Sequence, residues 1–239
     1  MIKVAVCGAG GKMGSRVVNL ILNDQKMRLV CGVEKRPPDW KSKTIFVIDL
    51  KDVINSVDVV IDFSDPDSCL RHLEIAVENK KRMVIGATGF NDSQKDLIRD
   101  FSSEIACVLA PNMSIGANVL FVLVEQMAKI FFDYDTDIVE IHNNQKKDAP
   151  SGTAEKIAQI IYNINPKQKI DIHSLRMGDI VSEHTVIFAG KGERIELIHK
   201  VNNRDVFAQG AIRAAKWVVN KPAGLYEMSD VLGIARYMR

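Results

Sequence analysis

A short apolar strand runs directly into a glycine-rich turn at the N-terminus, and no other feature constrains the fold of this chain as strongly. The strand, Ile2–Cys7, is followed by Gly8, Gly11 and Gly14, so a glycine stands at every third position of the turn. Glycine permits a tight turn and lets the following helix pack closely on its strand. The pattern predicts a strand, a turn and a helix over residues 12–23, which together begin a parallel α/β sheet.

The chain continues this alternation of short β-branched runs and helical patterns to about residue 112. Further strands are predicted at residues 29–34, 45–48, 57–62, 83–85 and 105–109, and further helices at residues 66–79 and 91–103. Parallel strands need a crossover connection, which is usually a helix. The alternation therefore favours an α/β fold with a doubly wound parallel sheet of Rossmann type.

The pattern changes in the second half of the chain. A helix predicted at residues 115–132 is apolar almost all round, as expected of a buried helix. Strands are then predicted at residues 138–142, 170–176, 184–189 and 194–199, with helices at residues 154–163 and 205–220. Because little helix lies between these strands, they favour a second domain of α+β type with a mixed or antiparallel sheet.

Composition excludes several classes of partner. The chain has 32 Lys and Arg against 30 Asp and Glu, a net charge of +2, which offers no bulk attraction to nucleic acid or to an anionic membrane. The densest apolar run, residues 119–124, is too short to span a bilayer, and the first apolar run is too short for a signal peptide. We therefore expect a cytoplasmic protein that binds neither nucleic acid nor membrane.

The four cysteines are widely spaced, at Cys7, Cys31, Cys69 and Cys107, and no Cys-x-x-Cys pair is present. Each lies in or beside an apolar run. We expect buried free thiols in a reducing compartment and no metal site, because no cluster of Cys and His has the spacing of metal ligands.

The glycine turn predicts a dinucleotide site. The helix that follows it presents free N–H groups and a positive dipole end to a pyrophosphate. Glu34 lies twenty residues after Gly14, where a carboxylate can accept hydrogen bonds from the ribose hydroxyls of NAD. Lys35 and Arg36 follow and can hold the 2′-phosphate of NADP. The sequence predicts NADH or NADPH without choosing between them, and a purely structural turn with solvated cations is the alternative.

Two more loops follow predicted strands of the first half. Phe63 lies in one of them, and Gly86, Ala87 and Thr88 lie in the other. Open α/β sheets bind ligands at the carboxyl ends of their strands, so both loops are expected to line the cofactor site, with ordinary strand-to-helix turns as the alternative. The cofactor-binding residues predicted from the turn and the loops are Gly8, Ala9, Gly10, Gly11, Lys12, Met13, Gly14, Glu34, Lys35, Arg36, Phe63, Gly86, Ala87 and Thr88.

A second group of functional residues lies between residues 140 and 153. Strand periodicity places Glu140 and His142 on one face, and Lys146 follows after a short polar loop. Histidine titrates near neutrality and lysine carries a transferable proton, so His142 and Lys146 are predicted to be catalytic. Ser151 and Thr153 open a helix whose N–H groups can bind a carboxylate or a phosphate. The alternatives are a structural histidine, a solvated lysine and plain helix capping.

These motifs, in this order, resemble the dihydrodipicolinate reductase (4-hydroxy-tetrahydrodipicolinate reductase) family of lysine biosynthesis over nearly the whole chain. The motif Lys146-x-Asp-Ala-Pro-Ser-Gly-Thr153 is the most specific. The others are Gly8–Gly14, Asp62-Phe-Ser64, Gly86–Gly89, Ala110–Asn118, Glu140–Thr153, Phe207-Ala-x-Gly-Ala211 and Trp217.

The resemblance implies NADH- or NADPH-dependent reduction of 4-hydroxy-tetrahydrodipicolinate to tetrahydrodipicolinate by a homotetramer. It implies a dinucleotide-binding domain at residues 1–113, completed by about 214–239, and a substrate-binding and oligomerisation domain at residues 114–213. Lys146 would be the proton donor beside His142. The resemblance adds Ala110, Asn112 and Met113 to the cofactor site. The substrate-binding residues that it implies are Asn143, Lys146, Ser151, Gly152 and Thr153.

One position departs from the family pattern. Many members carry a second histidine directly after the first, and this chain has Asn143 there. Asparagine forms hydrogen bonds but holds no charge near neutral pH, so we expect altered substrate binding with the chemistry intact. Two other functions stay open: another two-domain Rossmann dehydrogenase, acting on a semialdehyde or hydroxy acid, and a non-catalytic NAD(P)H sensor. An acylating semialdehyde dehydrogenase needs a nucleophilic cysteine, and the sequence has none near His142.

Overall fold

The computed structural model of the protein describes residues 1–36 and 44–234. They form two compact units. Of the described residues, the first unit contains those of Met1–Met113 and Phe207–Val231, and the second contains Ser114–Val206 together with residues 232–234. Each unit has its own sheet and its own hydrophobic core.

The first unit is built on a seven-stranded sheet in which all paired neighbours are parallel. Its strands are β1 Ile2–Cys7, β2 Met27–Val33, β3 Phe46–Val47, β4 Val59–Asp62, β5 Arg82–Ile85, β6 Ala106–Leu109 and β11 Gly224–Tyr226, in the spatial order β11-β6-β5-β4-β1-β2-β3. This sheet confirms the predicted Rossmann-type architecture. All four residues of β4 are buried, which is typical of a strand covered on both faces.

Helices cover this sheet, and side-chain caps fix where two of them begin. They are α1 Gly14–Leu22, α2 Pro66–Glu78, α3 Asp92–Ser102, α6 Asp205–Val218 and α7 Met228–Leu232. The Asp65 side chain accepts a hydrogen bond from the Ser68 N–H at the start of α2, with Pro66 in the first turn. Asn91 and Gln94 form a capping box at the start of α3. All four cysteines are buried and free, as expected.

The second unit contains a four-stranded mixed sheet, as the sequence predicted. Its strands are β7 Asp135–His142, β8 Ile172–Arg176, β9 Ser182–Gly190 and β10 Glu193–Val201, in the order β10-β9-β7-β8. Strands β7 and β8 are parallel, and the other pairs are antiparallel. The helices α4 Ile115–Ile130 and α5 Gly152–Ile164 contribute to a core with Ile138, Val186 and Phe188 of the sheet.

One face of this sheet is polar at one end. Alternate side chains of β7 are buried on one face, and the two nearest its end, Glu140 and His142, are ionisable whereas Ile138 before them is apolar. This polar end is the C-terminal end of β7, directly before the loop that leads to α5. Within the described ranges, no helix is long and apolar enough to cross a membrane.

Candidate active site

The glycine turn of the first unit has no room for a side chain at Gly8 or at Gly14. Gly8 has a φ of 69°, and a Cβ added there would lie 2.8 Å from the backbone carbon of Phe63. A Cβ at Gly14 would overlap the carbonyl oxygen of Gly8, because α1 begins directly against the turn. The Gly11 N–H donates to that same oxygen at 3.0 Å. The turn is therefore held by backbone contacts that only glycine permits.

Glu34 folds onto this turn from the end of β2. Its Oε2 accepts a hydrogen bond from the Gly10 N–H at 3.0 Å, and its Oε1 accepts one from the Lys35 N–H at 3.1 Å. The structure thus brings the predicted ribose-binding carboxylate to the predicted phosphate-binding turn. The Lys35 ammonium lies 3.8 Å from an Asp65 carboxylate oxygen. Arg36 is exposed.

A cavity of about 310 Å³ lies beside these residues, within the first unit. It opens at the carboxyl ends of β1, β2 and β4, where an open α/β sheet binds its ligands. Among the predicted cofactor residues, its lining contains Gly8, Glu34 and Lys35. Asp65 and Arg71, which sequence reasoning did not select, also line it.

The two remaining loops of the first unit meet each other. A Cβ at Gly86 would overlap the ring of Phe63, so the ring packs directly over this glycine. Thr88 is exposed, as are Gly10, Gly11 and Lys12 of the turn. The predicted cofactor residues Ala9, Ala87, Ala110, Asn112 and Met113 are buried. Met13 is partly buried, and it precedes α1.

Asp62 organises the loop that contains Phe63. Its Oδ1 accepts hydrogen bonds from the Ser64 N–H at 2.7 Å and the Ser64 hydroxyl at 2.6 Å, and its Oδ2 lies 2.7 Å from Nδ1 of His72. The thiol of Cys7, the carboxylate of Asp62 and the imidazole of His72 lie within 4.8 Å of one another. Burial, together with the nearby Asp62 charge, raises the pKa of the Cys7 thiol. Because both Asp62 oxygens already have hydrogen-bond partners in Ser64 and His72, we interpret the group as structural.

The second candidate site begins with a buried carboxylate on β7. Glu140 has no exposed surface, and its two oxygens accept hydrogen bonds from Arg176 at 3.0 and 2.8 Å. Ser174 and Nδ1 of His142 are its other partners. Burial alone would raise the pKa of Glu140, but these hydrogen bonds outweigh it and lower the pKa to about 2. The carboxylate is therefore ionised at neutral pH.

This ionised carboxylate determines the proton position on His142. A carboxylate can only accept, so Nδ1 of His142 carries a proton and donates it to Glu140. Burial lowers the pKa of His142, and the Glu140 charge opposes that effect without overcoming it. The neutral ring therefore keeps its free lone pair on Nε2, which can act as an acceptor or a base.

Lys146 lies in the loop after β7. Its ammonium contacts both carboxylate oxygens of Asp148, at 2.8 and 2.7 Å. Burial would raise the pKa of Asp148, but the hydrogen bond and charge of Lys146 lower it. Asn143 shapes the same loop, because its side-chain oxygen accepts a hydrogen bond from the Gln145 N–H at 3.1 Å. The loop ends with a cis peptide bond between Ala149 and Pro150.

The N-terminus of α5 follows this loop. Ser151 caps the helix, with its hydroxyl oxygen accepting from the Ala154 N–H at 3.3 Å. The same hydroxyl lies 3.1 Å from Nε2 of His184, a fully buried residue of β9. Gly152 is exposed and Thr153 is buried. Because the first N–H groups of a helix lack intrahelical acceptors, this end can receive an anion at Gly152.

One chain of contacts joins His142 to Lys146. His142 contacts Glu140, Glu140 contacts Arg176, and Arg176 donates a hydrogen bond of 2.6 Å to the backbone carbonyl of Asp148, the partner of Lys146. The rings of His142 and His184 have centroids 5.3 Å apart, which connects this chain to the cap of α5.

Sequence reasoning missed three members of this network: Ser174, Arg176 and His184. Period-two alternation on β8 and β9 could have placed them on one face. The sequence did not show which strands lie beside β7. In the structure, Glu140 is paired with both Ser174 and His184, and His142 is paired with Arg176.

Two family models match the chain. The model described as dihydrodipicolinate reductase, N-terminus, matches residues 2–113, and the model described as dihydrodipicolinate reductase, C-terminus, matches residues 116–232. Together they span both candidate sites.

Individual proteins agree with these models. A protein of Syntrophus aciditrophicus named 4-hydroxy-tetrahydrodipicolinate reductase is 45% identical to this chain, and the match covers 98% of this chain and 99% of that protein. A protein of the same name from Aquifex aeolicus is 41% identical, with 98% and 99% covered. Among solved structures, the dipicolinate-bound dihydrodipicolinate reductase from Paenisporosarcina sp. TG-14 matches with a TM-score of 0.79 and 29% identity, covering 95% of this chain and 97% of that chain.

Proposed function

The chain belongs to the dihydrodipicolinate reductase family, and we propose that it reduces 4-hydroxy-tetrahydrodipicolinate to tetrahydrodipicolinate with NADH or NADPH. The reaction belongs to lysine and diaminopimelate biosynthesis. One observation carries the proposal: hydrogen bonds through Glu140, Arg176 and Asp148 connect His142 to Lys146. The His142 ring also packs against His184, whose Nε2 lies within hydrogen-bond distance of the Ser151 cap of α5. A base, a cation with a proton and an anion-binding helix end suit a cyclic dicarboxylate.

The first unit would hold the cofactor. The glycine turn fits a pyrophosphate, because it packs the N-terminus of α1 directly against the end of β1, and a helix N-terminus attracts an anion. Glu34 would accept hydrogen bonds from the ribose hydroxyls, and Lys35 and Arg36 would face a 2′-phosphate when the cofactor is NADPH. The other residues that we propose to contact the cofactor are Ala9, Gly10, Gly11, Lys12, Met13, Phe63, Gly86, Ala87, Thr88, Ala110, Asn112 and Met113. When bound, the reduced nicotinamide supplies the hydride.

The second unit would hold the substrate and move the proton. The first turn of α5, from the Ser151 cap through Gly152 and Thr153, would bind one carboxylate of the ring. Loss of the 4-hydroxyl group as water leaves a conjugated unsaturated ring. A hydride added to this ring places negative charge on the conjugated ring nitrogen, and Lys146 would donate its proton to that anion. Nε2 of His142 would face the same substrate as a hydrogen-bond acceptor. Asn143 would contribute hydrogen bonds in place of a charged histidine.

We also propose that the protein is a cytoplasmic homotetramer assembled through the outer face of the second sheet. Strand alternation puts Val139, Ile141, Leu175, Ile187 and Ile198 on the face opposite the core. Leu175 and Ile198 are 43% and 54% exposed, which is high for large apolar side chains. Sedimentation of the purified protein should give the mass of four chains, and Ile198→Glu should lower it.

The alternatives differ in what they need from the second unit. An acylating semialdehyde dehydrogenase needs a reactive thiolate, yet all four cysteines lie in the first unit and are buried. Burial raises the pKa of Cys31 to about 11 and that of Cys107 to about 12. A non-catalytic sensor would bind the cofactor and show no turnover.

The activity is tested by following oxidation of NADH and NADPH with freshly prepared 4-hydroxy-tetrahydrodipicolinate. Lys146→Ala should lower kcat by roughly 10²- to 10⁴-fold, the usual contribution of a positioned acid. Lys147→Ala, the adjacent lysine, is the matched control and should retain wild-type turnover. If the wild-type protein oxidises neither cofactor in the presence of this substrate, the proposed function is wrong.

A further inference from the structure

We infer that Arg176 and Glu140 are positioning residues of the substrate site: together they hold His142 in the tautomer that leaves Nε2 unprotonated, and they hold the loop that carries Lys146. The inference rests on the proposed function, because it assigns these two residues a part in that reaction. Neither residue would touch the substrate. Each would act through a residue that does.

The hydrogen bonds of Glu140 leave His142 one proton position. Glu140 has no exposed surface, so water does not compete for its oxygens. The guanidinium of Arg176 occupies both oxygens, at 3.0 and 2.8 Å, and Nδ1 of His142 is bonded to Oε2. A bidentate arginine keeps the carboxylate ionised and fixes its plane, which in turn orients the imidazole.

Arg176 also reaches the loop before α5. Its second terminal nitrogen donates to the carbonyl oxygen of Asp148 at 2.6 Å while it is bonded to Glu140. The Asp148 side chain in turn holds the Lys146 ammonium. One planar guanidinium therefore connects β7, β8 and the loop. A lysine at position 176 would keep the positive charge but could not make these bonds in one plane.

A purely structural role would have different consequences. A buried ion pair that only stabilises the fold would change the free energy of unfolding when weakened, and it would leave the His142 proton in place. A positioning pair that is weakened allows the proton to move from Nδ1 to Nε2. Nε2 would then present a donor to the substrate where the wild-type protein presents an acceptor.

The test compares Arg176→Lys with Arg99→Lys, an arginine of α3 paired with Asp96 on an exposed face. Nitrogen-15 spectra of histidine-labelled protein report the tautomer of His142, whose signals are assigned by their loss in His142→Gln. In Arg176→Lys we expect a mixture of tautomers and a fall in kcat of roughly 10- to 100-fold, with the KM for NADPH unchanged. Arg99→Lys should have the wild-type His142 tautomer and the wild-type kcat.

A second variant covers the case in which Arg176→Lys does not fold. Glu140→Gln keeps the shape of the side chain and offers His142 an amide donor as well as an acceptor. It should move proton density to Nε2 and lower kcat in the same way. The inference is overturned if the folded variants keep the wild-type His142 signals, or if kcat stays at the wild-type value after the tautomer has shifted.

The spectra separate this inference from the proposed function, because they are recorded without substrate. Absence of turnover in the wild-type protein would refute the proposed reaction whatever the tautomer. Wild-type turnover with unchanged spectra and unchanged kcat in the folded variants would refute the positioning role alone.

Discussion

The candidate cofactor site of the first unit is formed mainly by backbone, whereas the candidate substrate site of the second unit is formed by buried side chains. At Gly8 and Gly14 the absence of a side chain is what matters, since a Cβ at either would meet backbone atoms. At Glu140 and His142 the chemistry of the side chain matters, because Arg176 orients the Glu140 carboxylate and that carboxylate orients the His142 ring. The two sites should therefore fail in different ways when they are mutated.

The largest loss of stability is expected from Glu140→Ala in the second unit. The substitution leaves the Arg176 guanidinium without its carboxylate, and removal of one partner from a buried ion pair costs roughly 3–5 kcal/mol. Urea unfolding would measure this loss. Glu104→Ala, which breaks an exposed pair with Lys80, is the control and should leave the unfolding free energy nearly unchanged. Equal losses in the two variants would contradict the buried network.

A smaller loss is expected from Gly14→Ala in the first unit. The new Cβ overlaps the Gly8 carbonyl oxygen, and crowding of this kind costs about 1–3 kcal/mol. Gly178→Ala is a useful comparison, because no atom lies within 4 Å of a Cβ there and its φ of 48° is the source of any strain. If Gly14→Ala were as stable as the wild-type protein, the turn would not be closely packed.

The largest pKa shifts of the two units lie at opposite ends of the pH range. Burial lowers the pKa of His184 to about 3, so its neutral form stabilises the fold fully above the unfolded value of 6.5. That contribution is lost as the pH falls from 6.5 towards 3. The lowered pKa of Glu140 adds a loss between 4.5 and about 2. The second unit should therefore be destabilised by acid.

The buried thiols of the first unit give the reverse dependence. Burial raises the pKa of Cys31 from 9.0 to about 11 and that of Cys107 to about 12. Their contribution is complete below pH 9.0 and is lost as the pH rises through these values. Hydrogen exchange across the pH range would assign each loss to a unit. Acid opening of the first unit before the second would contradict this expectation.

The fold was largely predictable because its signals are local. The bounds of β1 agree with the prediction, since the strand ends where the glycine turn begins. Strand β11, Gly224–Tyr226, was not predicted. It has three residues, and its only pairing in the described sheet is with β6, more than one hundred residues earlier. Nothing in so short a segment indicates a strand until its partner is known.

The substrate site was predictable only in part, because some of its residues are brought together by the pairing of distant strands. His142, Lys146 and Ser151 lie within ten positions of one another, and their spacing pointed to a site. Arg176 is 36 positions from Glu140 and becomes its neighbour only through the pairing of β7 with β8. The predicted contacts of bound cofactor and substrate stay predictions.

NADPH affinity, measured by fluorescence titration of Gly14→Ala and Lys146→Ala beside the wild-type protein, tests the division of labour between the two sites most directly. We expect Lys146→Ala to bind NADPH with the wild-type Kd although its kcat is strongly lowered. Gly14→Ala should bind NADPH at least about tenfold more weakly, a change of ~1.4 kcal/mol. The reverse result, in which Lys146→Ala loses NADPH affinity and Gly14→Ala keeps it, would contradict the assignment of cofactor binding to the first unit and proton transfer to the second.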